Sequence, residues 1–460
     1  MRLAAAIVLA SLALAPTFAR ADSDSDWNDC ASDDADRIIL GCDRIIAEGN
    51  ERKVNFAIAY YNRGVGYQKK GDHQKAIADF NRSIKINATD PKAFRARGSS
   101  YVELGDYERA ISDYTETIRL KPDFEGIYYD RGWAYVQLPD YPRALNDYNR
   151  AVEADPDNVQ LLIDRGNAYA ELGDIKHALD DFEKSVALKP DYALGHANRA
   201  WALAQLDKHE GAVAAYDEAI KLDPQNPDNL NGRAYSLIKL GQYDGAIADL
   251  NAALKLKPDH VNALRNRGWA YWLKNDFTRA LADYDAAVKL APEDPDTLAD
   301  RAALYDDMSE TEKSIADYEK VLAIAPNEGR ALNGRAWGLA QKGDLDQALA
   351  DSDRAVSLLP EEPNARHTRA WIHLARGEVD PALADFDKAL ALDPDLAGAY
   401  ADRGRAYEAK GDKDKAITDY EKALSLASRQ AYDDKAKAEA AKRLKALGVF
   451  VPAANAASSR

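Results

Sequence analysis

The chain has 460 residues, of which 46% are hydrophobic, 30% charged and 9% aromatic, and its net charge is −16. That acidity excludes nucleic acid and anionic lipid surfaces as partners, because both demand basic patches. The balance of apolar and charged residues suits amphipathic helices.

Residues 1–21 read as a secretory leader. Arg2 supplies the positive start, Leu3 to Ala15 the apolar run, and Ala19-Arg20-Ala21 the small-residue cleavage site. A spanning helix needs roughly 20 apolar residues, so the run is too short for an anchor. No Cys follows the cut, which argues against a lipoprotein, and no later segment could span a membrane. Cleavage after Ala21 removes two arginines and no acid, taking the net charge from −16 to −18. The expectation is a soluble, exported chain, placed in the periplasm by the style of the leader.

Residues 22–56 read as an N-terminal cap. Export favours a Cys30–Cys42 disulfide over a metal site, which lacks a nearby His and the right spacing. Closing a loop of about a dozen residues is worth roughly 3 kcal/mol. Asp34 to Ile46 looks like a second helix without a first: Ile38, Cys42 and Ile45 fall where Ala76, Phe80 and Ser83 fall further on. The segment from Asp22 to Asp33, with Trp27, is expected to be irregular and tied over the exposed flank.

From Ala57 the chain repeats every 34 residues without insertion or deletion. Gly64, Gly98, Gly132, Gly166, Ala200, Ala234, Gly268, Ala302, Ala336, Ala370 and Gly404 mark position eight of eleven repeats spanning 57–430. In the second repeat, Phe94, Ala96, Gly98, Tyr101 and Leu104 have helical spacing, then Gly105 ends the helix and Asp106 caps the next. Ala110, Ile111, Tyr114, Ile118 and Leu120 make a second helix, which Pro122 ends. Position twenty is Ala in every repeat except the eighth, which has Ser314. Aromatics dominate positions eleven and twenty-four, large beside small. The weaker cores belong to repeats eight and nine, with Ser314 at position twenty and Ser352 at twenty-four, so local opening is expected there.

Small residues at eight and twenty, aromatics at eleven and twenty-four and Pro near thirty-two, at this period, resemble the tetratricopeptide repeat. The resemblance implies an all-α solenoid of helix-turn-helix units forming a right-handed superhelix. It also implies that the first helices line a concave binding face. Residues 431–448 would close the array: Tyr432, Ala436, Ala440, Leu444 and Leu447 form one stripe backed by polar residues. The tail, 449–460, is expected to be loose.

A second recurrence is particular to this chain. Position seven is Arg in all eleven repeats. Position twenty-three is Asp in all but the fifth, where Ala215 stands. A ladder of ligand-binding arginines is one reading. Ion pairs such as Arg63–Asp79, Arg131–Asp147 and Arg267–Asp283, within or between repeats, are the other and the favoured one. Arg199 should then lack its usual partner.

No catalytic motif is present, and the seven histidines are scattered. His373, at a core aromatic position, reads as a buried hydrogen-bonded residue. The expectation is therefore a non-enzymatic chain without cofactor or metal. The candidate binding residues follow from the concave face that the resemblance implies. Position nine carries Trp133, Trp201, Tyr235, Trp269, Trp337 and Trp371, and Trp272 adds another at position twelve. They are either partner anchors or packing between first helices. Position six is polar in many repeats, with Asn198, Asn266 and Asp300 among others. That row is similar to the Asn ladder that holds a peptide backbone in nucleocytoplasmic sugar transferases, but here half of it is Asp and Ala96 interrupts it. The carboxylate clamp of chaperone-binding members is excluded, because Arg95 is followed by Asp130 and Asp164. Asp296, Asp300, Asp306 and Asp307 point to a neutral or basic protein or peptide partner. A glycan ligand stacking on the Trp row, or a self-associating structural rod, are the alternatives.

Overall fold

The structure, a computed structural model, describes residues 23–428 and 431–449. The leader and the tail beyond Val449 lie outside the described residues. Among these residues there are twenty-five helices and no strand. After the cap they run in pairs. The second helices start at His73, Tyr107, Tyr141, Ile175, His209 and so on to Lys413, each 34 residues after the last.

The turn chemistry explains this regularity. Position fifteen takes a left-handed conformation at Gly71 (φ 76°), Gly105 (74°), Gly173 (77°) and Gly411 (85°), which glycine adopts without a Cβ penalty. Asp207, Asn275 and Ser309 hold the same region. The next residue then caps the second helix: the carboxylates of Asp72, Asp106, Asp140 and Asp276 accept from the backbone N–H three residues on.

The helix pair closes on its small residues. A methyl on Gly98 would lie 2.7 Å from the Tyr114 ring, and one on Gly166 would lie 2.5 Å from Phe182. Gly64 with Phe80, Gly132 with Tyr148 and Gly404 with Tyr420 repeat the arrangement. So position eight is small because the aromatic at twenty-four lies flat on it. Where position eight is Ala and twenty-four is Tyr, the ring finds another gap. Tyr318, sixteen residues after Ala302, lies on Gly334 of the following repeat, and Tyr216 lies on Gly232 in the same manner.

The chain divides into two units between Lys208 and His209. The first holds the cap, four repeats and the helix Ala193–Gln205. Its cap corrects the sequence reading: the segment expected to be irregular forms a helix, Ser23–Cys30, paired with Ala35–Glu48. Eight residues are too few for an isolated helix; tertiary ties supply what length does not. Cys30 is bonded to Cys42, Arg37 pairs with Asp29 at 2.8 Å, Arg44 binds both Asp26 and Asp29, and Trp27 donates to Glu51 at 3.1 Å. Ile38, Cys42 and Ile45 bury against Ala59. The cap is therefore a shortened repeat.

The second unit runs from the helix His209–Leu222 through the remaining repeats to a closing helix, Ala431–Ala446. Ala436, Ala440 and Leu444 of that helix bury against Ala401, Ala416, Tyr420 and Ala423, covering the last apolar face. Among the described residues, no helix is long and apolar enough to cross a membrane.

Candidate binding surface

The arginines at position seven are spent inside the fold. Arg63 donates through Nε and Nη2 to both oxygens of Asp79 at 2.7 and 2.8 Å, and Arg131 does the same to Asp147 at 2.7 and 2.8 Å. Arg267 binds Asp283 at 2.8 and 2.6 Å. A third link runs from Nη1 to position twenty-five of the preceding repeat: Arg97 to Asn81, Arg267 to Asn251, Arg301 to Asp285. Arg63 reaches Asp43 of the cap instead. All but Arg199 and Arg335 thus tie three helices, and the position-twenty-five acceptors are partners the sequence reading did not name. Arg199, whose repeat has Ala215 in place of the acid, has no hydrogen-bond partner at Nε among the described residues.

A second ladder uses five of the eleven residues at position six. Position five of one repeat binds position six of the next: Arg95 to Asp130 at 2.6 Å, Tyr129 to Asp164 at 2.9 Å and His367 to Asp402 at 3.0 Å. Asn266 donates to Asn231 at 2.9 Å, and Arg265 lies 3.6 Å from Asp300 and 3.2 Å from Asp296. Asn198 donates to Asn167 at 3.3 Å. Asn198, Asn266 and Asp300 are therefore engaged by their own chain. Complementary polar residues at five and six, 35 residues apart, were the available signal. His373, half-buried, bonds Glu378 at 2.7 Å.

The tryptophans divide. In the first unit, Trp133 packs edge-on against Tyr107, and Trp201 is the most open of the row at 39% exposed. In the second unit, Tyr235 and Trp269 lie 6.0 Å apart beneath the Lys239 ammonium. Trp272, Trp337 and Trp371 converge on one cavity of about 650 Å³. Trp337 meets Trp371 edge-to-face at 5.4 Å, and Trp272 donates from Nε1 to Asp307 at 2.7 Å. Packing and exposure coexist along the row.

The cavity has a wall that the sequence reading assigned only to capping. Tyr432, on the first turn of the closing helix, stands edge-on to Trp337 at 4.9 Å and donates its hydroxyl to Asp402 at 2.6 Å. Three residues on, Lys435 donates to Ser309 at 3.1 Å, 126 residues away in sequence. The closing helix packs on repeat eleven, and its first turn reaches further, to His367 and Trp337 and to the inter-helix turn of repeat eight at Ser309. Part of the binding face that the resemblance implies is thus occupied by the chain's own segment.

The charges around the cavity are mixed. Asp306, Asp307, Asp402 and Glu439 face Arg330, Arg405, Lys435 and His367. Burial pushes the Asp306 carboxyl up to about 7, and burial raises Asp307 as well. Burial acts the same way on Asp402, but the bonds and charges of His367, Arg405 and Tyr432 together outweigh it and hold that carboxyl below its usual value. Among the described residues, no group of three or more His, Cys, Asp or Glu is placed to hold a metal ion.

Tetratricopeptide-repeat models match residues 57–90, 95–159, 131–197, 193–226, 231–295, 295–328, 372–411 and 397–430, together more than half of the chain. No curated protein matches the sequence. Among solved structures, the Cut9–Hcn1 complex of the APC/C aligns over 88% of this chain and 93% of its own, at 10% identity and a TM-score of 0.51. Yeast Tom70 aligns over 86% and 97% at 18% identity and a TM-score of 0.40. YrrB, described as a TPR protein with an unusual peptide-binding site, aligns over 40% and 95% at 22% identity and a TM-score of 0.37. At these identities the first likeness speaks for the fold. With the models in register with the helix pairs, the chain belongs to the tetratricopeptide-repeat family, whose stacked repeats present extended binding surfaces.

Proposed function

We propose that the chain is an exported, non-enzymatic scaffold that grips a protein segment in the cavity of its second unit. The observation that carries this reading is the convergence of Trp272, Trp337 and Trp371 with Asp306 and Asp307 on one cavity of about 650 Å³. Indoles give large contact area at low entropy cost, and the acids favour a neutral or basic segment. The leader at 1–21 and the Cys30–Cys42 bond support an oxidising compartment, the periplasm in a bacterial cell.

The test is titration of the mature chain with basic, neutral and acidic peptide pools, read by tryptophan fluorescence. Basic and neutral pools should quench and acidic pools should not. Trp272→Ala and Trp371→Ala should each weaken binding at least tenfold. Quenching by polysaccharide alone would replace the peptide with a sugar. Secreted protein beginning at Asp22 would support export, and retention in the cytoplasm would overturn it.

A further inference from the structure

The occupant of the cavity's inner wall describes the ligand that the wall accepts. Tyr432 sits in a built site. Its ring stands against Trp337 at 4.9 Å and His367 at 5.7 Å, and its hydroxyl donates to Asp402 Oδ2 at 2.6 Å. Asp402 is 1% exposed and also accepts from His367 at 3.0 Å and from Arg405 at 2.9 Å. A carboxylate this deep cannot lose a donor without cost, so whatever leaves must be replaced by another donor. One turn on, the Lys435 ammonium reaches Ser309 at 3.1 Å and attracts the Asp307 carboxylate, whose net shift stays upward through burial.

The remainder of the closing helix does a different job. Ala436, Ala440 and Leu444 cover the last repeat, and Arg443 binds Glu408 at 3.1 Å. Tyr432 also packs on Gly398 and on the edge of that cover, but its ring edge, its hydroxyl and Lys435 reach beyond it. They fill a ring-and-phenol slot and an acidic margin at helical spacing, as a bound partner would.

We propose that Trp337, His367 and Asp402 form a tyrosine-accepting subsite, held in the free protein by Tyr432. The partner presents a helical turn with Tyr followed three residues later by Lys or Arg. This rests on the peptide-binding reading above and names its ligand class. The partner's phenol replaces that of Tyr432 on Asp402, and its cation takes the place of Lys435 beside Asp307. Binding is thus a competition with the chain's own segment.

The test uses the mature full-length chain and a capped peptide of sequence Ala-Tyr-Ala-Ala-Lys-Ala, with Phe and Glu substituted in turn for its Tyr and Lys. Tyr432→Ala vacates the subsite and leaves Ala436, Ala440 and Leu444 in place. Tyr432→Phe keeps the ring and removes only the hydroxyl. The peptide should bind the Ala variant at least tenfold and the Phe variant several-fold more tightly than wild type, read by tryptophan fluorescence. The Phe peptide should lose about tenfold, and the Glu peptide should lose affinity as well. Equal affinity for wild type and both variants, or a Phe peptide as good as the Tyr peptide, overturns the subsite while leaving the scaffold reading intact. If neither this peptide nor any pool binds any of the three proteins, both readings fall.

Discussion

Asp283 accepts from Nε and Nη2 of Arg267 at 2.8 and 2.6 Å, and the same guanidinium reaches Asn251 of the preceding repeat at 2.7 Å. The acid is 9% and the base 22% exposed, so the pair is largely withdrawn from water. Pairs of this kind are costly to break but contribute little when replaced whole. Asp283→Ala should therefore destabilise the second unit by roughly 2–4 kcal/mol, because it strands a cation. Arg267→Met with Asp283→Leu should cost clearly less than the single change. Urea unfolding of all three proteins checks this; a double variant worse than Asp283→Ala would show that the rung adds net stability.

The contact of Gly98 with Tyr114 sets a second expectation. A methyl at Gly98 would lie 2.7 Å from the ring, so Gly98→Ala should cost roughly 1–3 kcal/mol by overpacking. Repeat six shows the tolerated alternative, with Ala234 and Leu250 both fully buried. Gly98→Ala combined with Tyr114→Leu should then be less destabilised than the sum of the two single changes. Additive melting shifts would deny that the residues share one gap.

Much of this architecture was legible because stacking demands periodicity. The 34-residue step, the caps at Asp72 and Asp106, and the small-beside-large rule all follow from local chemistry repeated in register. The Arg–Asp co-occurrence was legible for the same reason, since both residues recur. What was not legible lacks a repeat. The helix Ser23–Cys30 depends on the disulfide and on Arg37 and Arg44, none of which propensity records. Tyr432 looked like one apolar member of a capping stripe, and nothing local tells such a residue from one that reaches Trp337, 95 positions earlier in sequence. The position-five to position-six bonds were within reach of the sequence, but their chemistry changes from Arg–Asp to Tyr–Asp to Asn–Asn.

Asp306 gives the second unit a pH dependence of definite sign. Burial raises its carboxyl from 3.8 to about 7, against the smaller opposing influence of the Ser314 and Tyr318 hydroxyls. The unfolded chain releases this proton near pH 4, whereas the folded chain keeps it to about 7. The native state therefore binds more protons across that window, and this group's contribution to stability falls as pH rises through it. Asp306→Asn, which keeps the shape without the charge, should stabilise the unit by roughly 1–3 kcal/mol at pH 8 and by almost nothing below pH 4. Thermal melts at both pH values decide the matter, and a gain of equal size at each would mean that ionisation is not the cause.

Ser352 occupies a place where an aromatic or Leu stands in every other repeat, and it is fully buried. Its hydroxyl bonds only back to Leu349 O at 2.9 Å, so the gap beside Ala336 lacks the apolar filling found elsewhere. Amide exchange in the helix Leu345–Leu358 should accordingly be faster than in Tyr107–Leu120, where Tyr114 fills the equivalent gap. The repair is specific. Where position eight is Ala, the tyrosine ring rests on a Gly at position six of the next repeat, as Tyr318 does on Gly334. Here that place is held by Thr368, which is itself buried. Ser352→Tyr should thus overpack and gain nothing, whereas Ser352→Leu, copying Leu250 beside Ala234, should slow exchange and add about 1 kcal/mol. Exchange as slow in the native helix as in Tyr107–Leu120, or a Tyr variant more protected than the Leu variant, would refute the packing rule.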